Sequence, residues 1–356
     1  MTAEVKVYKP ENYIRVVTAT SLFDGHDAAI NIMRRILQDT GVEVIHLGHN
    51  LSVQEIVDAA IEEDAQGVAV SSYQGGHIEF FKYMVDLLKE RGAPHIKVFG
   101  GGGGVIVPDE IAELEAYGVT KIYSPEDGAQ LGLQGMINHM VAAIDFSTVK
   151  KGGFAFNDLS PDNKLLEANL ISAAEYAKAQ ENGDLAALRA ELVKKIGQRK
   201  QPVIGITGTG GAGKSSLTDE LILRMLHDSK DIHIAIISCD PSRRKTGGAL
   251  LGDRIRMNAI GNPRVYLRSL ATRQSQTEIP AVLGEAIEAV MAAGYDLIIA
   301  ETAGIGQGVF QKLVEGMTVG QASEAVVIGH VSDGGLGRLV GASVRRFAQF
   351  PVNSRQ

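Results

Sequence analysis

The stretch Val203-Ile-Gly-Ile-Thr-Gly208-Thr-Gly-Gly-Ala-Gly213-Lys214-Ser215-Ser216 decides the fold of half the chain. Val203–Thr207 is a short apolar run and reads as a buried strand. From Gly208 to Ser215 the residues fit G-x-x-x-x-G-K-[ST] at every position, and Ser215–Leu226 continues with helical periodicity. Backbone N–H groups can cradle phosphate only where no Cβ intrudes, and a helix N-terminus adds positive potential. The expected nucleotide-binding set is therefore Gly208, Gly210, Gly211, Ala212, Gly213, Lys214, Ser215 and Ser216. Lys214 would reach the β- and γ-phosphates, and the Ser215 hydroxyl would hold Mg²⁺. The same stretch contains G-x-G-x-x-G at Gly208, Gly210 and Gly213, with Asp240 ending the next strand. That dinucleotide pattern leaves Lys214 and Ser215 unexplained, so a nucleoside triphosphate is the preferred reading.

Further strands follow at Ile232–Ser238, Val265–Leu267 and Leu297–Ala300, with a helix at Ile279–Met291. Asp240, Asp253 and Glu301 lie at or after strand carboxyl ends, where Mg²⁺ and an attacking water must be held. Lys214, Asp240 and Glu301 are the expected catalytic residues; Ser215, Asp240, Asp253 and Glu301 are the expected Mg²⁺ ligands. Arg243, Arg244, Lys245, Arg254 and Arg256 crowd the loop after Asp240. They read equally well as a solvated face and as a switch that senses the γ-phosphate or docks a partner.

Upstream, apolar runs at Ile14–Ala19, Val42–Leu47, Gly67–Ser71, Ile96–Gly100 and Val119–Tyr123 alternate with amphipathic stretches. Helices are expected near His26–Asp39, Val53–Glu63, Glu79–Arg91, Pro108–Ala116 and Glu126–Ala143. This alternation predicts a parallel, flavodoxin-like α/β domain with its ligand at the strand carboxyl ends. Three loops there are unusual: Asp24-Gly-His26-Asp27, Ser71-Ser72-Tyr73-Gln74-Gly75-Gly76-His77, and the five glycines Gly100–Gly104. One histidine can give a metal a single axial nitrogen while a nearby carboxylate holds its other ring proton. A helix cap by Asp24 is the plainer alternative. Consecutive glycines after a buried strand suggest a ligand lying against the main chain.

With 35 basic and 42 acidic side chains the formal charge is −7, which offers no attraction to nucleic acid or an anionic membrane. Hydrophobic content of 45% is that of a globular protein, and the length of 356 residues predicts two or three domains. The lone Cys239 excludes an intrachain disulfide and suits a reducing, cytoplasmic setting. No apolar run approaches the roughly 18–20 residues of a membrane span, and the start lacks a signal peptide's apolar stretch.

The order Asp-x-His, Ser-x-aromatic and Gly-Gly resembles the cobalamin-binding domain of adenosylcobalamin-dependent mutases and methionine synthase. The resemblance implies that His26 becomes the lower cobalt ligand with Asp24 as its partner. It implies that the displaced nucleotide tail meets Ser71 and Ser72 and passes Gly102 and Gly103. Ala29 stands where the family carries glycine. The segment Asp240–Met257, with Glu301-Thr-Ala-Gly-Ile-Gly-Gln307, resembles the G-protein chaperones of methylmalonyl-CoA mutase. In tandem, the two parts are similar to the amino-terminal part of the fused isobutyryl-CoA mutases. That implies adenosylcobalamin, Mg²⁺ with GTP or GDP, and an acyl-CoA mutase barrel as partner, with a homodimer plausible by analogy. A corrinoid carrier or sensor, or a P-loop kinase, are the alternatives.

The expected organisation is a cobalamin-binding domain at 1–146, a linker with helices at 147–200, a partial P-loop GTPase domain at 201–307 and an atypical tail at 308–356. The tail shows little helix or strand pattern and no Asn-Lys-x-Asp guanine motif; a frameshifted or truncated product is the preferred reading there, and a real but divergent segment is the alternative. Without the mutase barrel this chain alone is expected not to isomerise acyl-CoA.

Overall fold

The computed structural model describes residues 5–149, 154–180, 184–208, 211–243, 245–273, 279–303 and the strand at 322–328. The amino-terminal unit runs β1 (Arg15–Ser21), α1 (Ala28–Asp39), β2 (Glu43–Leu51), α2 (Val53–Glu62), β3 (Gly67–Ser71) and α3 (His77–Glu90). It continues with β4 (Lys97–Gly101), α4 (Pro108–Tyr117), β5 (Lys121–Tyr123) and α5 (Pro125–Ala143). All strand pairs are parallel, in the order β5-β4-β3-β1-β2, which is the flavodoxin-like winding. Alternate strand residues serve two covering layers, which is why the strands are apolar throughout. Val16, Val44 and Phe99 pack toward Leu37, Ile137 and Val141 of α1 and α5. Val17, Ile45 and Val68 pack toward Ile56, Phe81 and Met84 of α2 and α3. Ser52 with Glu55 and Ser124 with Asp127 form capping boxes that start α2 and α5. Gly132, at φ 66° and ψ 171°, interrupts α5, where the periodicity had predicted one continuous helix.

The second unit begins with α6 (Lys164–Gln180) and α7 (Asp184–Ile196). It continues through β6 (Gln201–Gly208), α8 (Lys214–Asp228), β7 (Ile234–Asp240), β8 (Ala249–Leu251) and β9 (Val265–Ala271). It ends with α9 (Leu283–Ala293), β10 (Leu297–Ala303) and β11 (Ala322–Ile328). Its parallel sheet has the order β11-β6-β10-β7-β9, and α6, α7 and α9 together cover one face. Ile171, Leu188 and Leu192 bury against Val203, Ala235 and Ile298, so α6 and α7 pack as a layer of this sheet. Two elements depart from the sequence expectation. β11 lies in the segment read as lacking strand pattern, pairing with β6 from Ala322↔Gln201 to Ile328↔Ile206. The short apolar run Ala325–Ile328 was hidden among scattered glycines. β8 leaves its own unit and extends the first sheet beside β2.

Buried ion pairs join the two units. Glu175 of α6 receives Arg15 of β1 at 2.7 Å, Arg273 at 2.9 Å and Arg268 of β9 at 3.2 Å. Glu43 of β2 adds contacts with Arg15 at 3.2 Å and Arg273 at 2.7 Å. Burial alone would raise the Glu175 carboxyl, but Arg15, then Arg273 and Arg268, pull it down to about 2. Glu175→Ala would leave Arg268 without a carboxylate and Arg15 and Arg273 sharing Glu43 alone, and should cost about 3–5 kcal/mol in urea unfolding of the whole chain. The exposed pair Arg224–Glu220 is the control, and Glu220→Ala should leave the midpoint unmoved.

Candidate functional site

The loop after β1 is organised by one carboxylate. Asp24 is 1% exposed. Its Oδ1 accepts the His26 backbone N–H at 2.9 Å and the ring Nδ1–H at 2.8 Å, while Oδ2 accepts the Tyr73 N–H at 2.5 Å. Burial would raise this carboxyl, but the bonds from Tyr73 and His26 outweigh it and hold it below the usual carboxylate range. Asp24 thus ties the β1 loop to the β3 loop and points the imidazole outward. The His26 side chain is 70% exposed, with Nδ1 committed to Asp24 and Nε2 on the outer edge. Phe23, at φ 62°, is held in the left-handed region by its N–H donating to Asn50 Oδ1 at 2.8 Å. Its carbonyl accepts Gln74 Nε2 at 2.6 Å.

Beside this imidazole lies a cavity of about 320 Å³ running between the glycine loop and α1 and α5. Its lining includes Ala29, Met33, Ser71, Phe99, Gly102 and Gly103. A Cβ at Gly102 would run into the Ser72 carbonyl. At Gly103, which adopts φ +56°, a Cβ would stand 2.9 Å from the Tyr73 hydroxyl. Ser71 borders the cavity, whereas Ser72 does not: its hydroxyl accepts from Ser21 at 2.9 Å and its N–H donates to Gly101 O. The two expected tail-binding serines therefore stand differently: Ser71, the last residue of β3, lies on the cavity wall, and Ser72, just beyond the strand, is held by Ser21. Tyr73 was not singled out from sequence. Its ring lies 5.3 Å from that of His26, and only the pairing of β1 with β3 brings them together.

At the second site β6 ends in the phosphate loop, and Gly211 and Gly213 both adopt φ 80°, with Gly213 capping α8. Lys214 Nζ donates to Gly208 O at 3.0 Å, folding the side chain over the loop. Ala212 is half-buried and Ser216 is exposed on the first turn of α8. Gly210 and Arg244 lie outside the described residues, as do Gly304–Gln307 and most of the 308–356 tail. Ser215 Oγ donates to Glu301 Oε1 at 2.7 Å, and Thr218 Oγ1 to Oε2 at 3.2 Å. Thr218 escaped the sequence reading, although it sits one helical turn beyond Ser215 and therefore on the same face.

The remaining carboxylates are close enough to raise one another. Burial, then Asp253, push Asp240 up to about 7 against the opposing Gly252 N–H; burial and Asp253 also raise Glu301. Asp253 accepts from the Ser238 hydroxyl. Asp240 Oδ2 is buried without a hydrogen-bond partner among the described residues. No three His, Cys, Asp or Glu side chains among the described residues form a ready-made metal cluster. The expected ligand set is thus split: Glu301 is engaged by Ser215 and Thr218, and Asp253 by Ser238.

The basic cluster also divides. Arg254 is 5% exposed, donating to Glu63 at 2.7 Å and Glu62 at 2.8 Å at the end of α2. Arg243 pairs with Asp39 at the end of α1. Lys245 and Arg256 are exposed. Among the described cations, Arg243 and Arg254 therefore dock the amino-terminal unit.

Sequence relationships accord with this geometry. Residues 14–130 match the B12 binding domain family, and residues 167–332 match the methylmalonyl Co-A mutase-associated GTPase MeaB family, a match that carries past Gln307 and through β11. The chain is 60% identical over 304 residues to the fused isobutyryl-CoA mutase of Geobacillus kaustophilus, covering 85% of this chain and 28% of that protein. It is 59% identical over 304 residues to that of Cupriavidus metallidurans, covering 84% and 27%. For Nocardia farcinica the identity is 53% over 312 residues, covering 86% and 28%. The molecule is thus a B12-binding domain joined to a MeaB-type GTPase domain. It belongs with the fused isobutyryl-CoA mutases, as their cobalamin-binding and GTPase-chaperone portion, and spans a little over a quarter of their length. Among the described residues no helix is long and apolar enough to cross a membrane.

Asp240 yields a pH test. Its carboxyl rises from 3.8 to about 7 on folding, so between those values the folded chain holds a proton that the unfolded chain has lost. Its contribution to stability therefore falls as pH rises through that window. In Mg²⁺-free buffer, Asp240→Asn should be more stable than the parent at pH 8, with the advantage fading toward pH 5 in urea melts. An equal difference at both pH values would contradict the assigned environment.

Proposed function

We propose that this chain binds adenosylcobalamin through His26 and hydrolyses GTP at the Lys214 loop, the nucleotide state gating cofactor loading into an acyl-CoA mutase barrel. The observation that carries the first part is the Asp24–His26 pair standing beside an apolar cavity. Asp24 fixes the tautomer by accepting the hydrogen bond of Nδ1–H, which leaves Nε2 as a lone-pair donor directed outward. The cavity fits the cofactor's nucleotide tail in kind: it is walled by apolar side chains and by the side-chain-free backbone of Gly100–Gly103. Ser71 supplies a hydroxyl on that wall. When bound, the cofactor would supply radical chemistry for acyl rearrangement, with the protein orienting it and excluding side reactions.

At the second site Lys214 would exchange its bond to Gly208 O for the β- and γ-phosphates. Ser215 would turn from Glu301 toward Mg²⁺, with Asp240 and Asp253 completing its surroundings and Glu301 and Asp240 serving the hydrolytic step. The partnerless Asp240 Oδ2 supports a cation there, since a buried acceptor with no donor is costly to keep. The nucleotide's own phosphate oxygens would supply the ligands that the split carboxylate set lacks.

A cobalamin titration followed by absorbance, with electron paramagnetic resonance of the cob(II)alamin form, tests the first site. An imidazole nitrogen splitting should appear with the parent and vanish in His26→Ala; its persistence would refute the ligand assignment. Asp24→Ala should weaken binding about 10–100-fold, as loss of an outer-shell partner does. At the second site Lys214→Ala should lower GTP turnover about a hundredfold or more. Unchanged phosphate release would remove Lys214 from the mechanism.

A further inference from the structure

His77 opens α3, is 7% exposed, and stands between the β3 loop and the start of α4. Both of its ring nitrogens are engaged: Nδ1 with the Gln74 carbonyl at 3.1 Å and Nε2 with Glu110 Oε2 at 3.0 Å. Neither acceptor has a hydrogen to give. A carbonyl never does, and the Val107 N–H and then His77 hold the Glu110 carboxyl below its usual range. Each contact is therefore a hydrogen bond only when the ring nitrogen donates, and the two exist together only in the doubly protonated ring. A neutral ring must give up one of them. The positive end of α3 opposes a cation at its first residue, and the Glu110 carboxylate offsets this. Among the described residues, the other charged groups on the surrounding elements are acids or already paired. They are Glu79 on α3, Asp109 on α4, Glu55 at the start of α2 bonded to Ser52, Asp24 bonded to His26 and Tyr73, and Lys82 paired with Glu113.

The two bonds join loops that flank the proposed cobalamin site. On one side Gln74, whose carbonyl His77 holds, donates its Nε2 to Phe23 O, and its neighbour Tyr73 donates its N–H to Asp24 Oδ2. On the other side Glu110 accepts the Val107 N–H at 3.0 Å, at the end of the loop that begins with the five glycines. Ile106 of that loop lies close to the main chain of the glycine wall: a Cβ at Gly102 would stand 3.0 Å from Ile106 Cγ1. The backbone bond from Ser72 N–H to Gly101 O joins the two loops at their roots, and His77 joins them further out. One buried imidazole thus ties the loop that supports Asp24 and His26 to the loop that forms the side-chain-free wall of the cavity.

We propose that His77 is a positioning residue for cobalamin: its doubly protonated ring clips the β3 loop to α4, and the affinity for cobalamin falls when the ring loses a proton. The inference rests on the function proposed above and adds an alkaline limit to it. The clip is complete while both nitrogens are protonated and loses one bond as pH rises through the titration of the ring, so the loss lies on the alkaline side.

The test uses the whole chain, with adenosylcobalamin titrated by absorbance from about pH 6.5 to about pH 9 and long-range proton–nitrogen NMR spectra of the histidine rings recorded without ligand. In the parent the affinity should fall about fivefold or more toward the alkaline end, as loss of one bond from a charged donor implies. The His77 ring should show both nitrogens protonated at the acid end of the range. His77→Gln, whose amide carries its hydrogens at every pH, should lose this alkaline fall. Glu110→Gln alters a partly exposed side chain and should fold normally; by removing the counter-charge it should move the fall to lower pH. A parent with no alkaline fall overturns the proposal, as do an equal fall in His77→Gln and a fall left unmoved by Glu110→Gln. The parent's ring spectrum and the Glu110→Gln titration decide the matter even where His77→Gln does not fold. A ring protonated on one nitrogen throughout overturns this inference alone, whereas a parent that binds no cobalamin at any pH overturns the proposed function and this inference with it.

Discussion

Glu175, a carboxylate buried with three guanidinium groups, is the interaction on which the relation between the two units depends. Arg15 opens β1 and Arg268 lies on β9, so the ion cluster ties the first sheet to the second through α6. A carboxylate is stable there because the attraction of its partners exceeds the cost of losing water, a balance that fails when any one group is removed. Arg254 with Glu62 and Glu63 repeats the arrangement on the nucleotide-site side. The edge of β2 is consequently held where β8 can pair with it.

The two sites share a construction. In each, parallel strands bring loops from distant positions to one end of a sheet, and a single carboxylate accepts donors across them. Asp24 joins the β1 and β3 loops and aims an imidazole; Glu301 joins the end of β10 to Ser215 and Thr218 at the start of α8. The first is complete as it stands, because its acceptor is held down by three hydrogen bonds. The second differs: burial and the neighbouring carboxylate Asp253 raise both Asp240 and Glu301.

Much of this was legible in the chain. The apolar runs, the phosphate loop and the Asp24–His26 loop give local signals, because strand burial, phosphate cradling and tautomer control each demand particular residues at short spacing. What escaped has non-local causes. Tyr73 reaches Asp24 only because β3 pairs with β1. Ser71 and Ser72 are indistinguishable as a dipeptide, and only their different partners, the cavity for Ser71 and the Ser21 hydroxyl for Ser72, separate them. β8 is three residues long, too short for any periodicity, and its partner strand lies some two hundred residues earlier in the chain. Arg254 reads as one cation among five until Glu62 and Glu63 are seen around it.

The sequence by itself determined the two α/β units, the order of their loops and the chemical kinds of group each loop presents. Those follow from side-chain polarity and backbone freedom over stretches of a few residues. Only the tertiary structure decided that the carboxylate-bearing loop of one unit becomes an edge strand of the other. An exposed edge offers unpaired N–H and C=O groups to any segment, and docking geometry alone selects which segment reaches it.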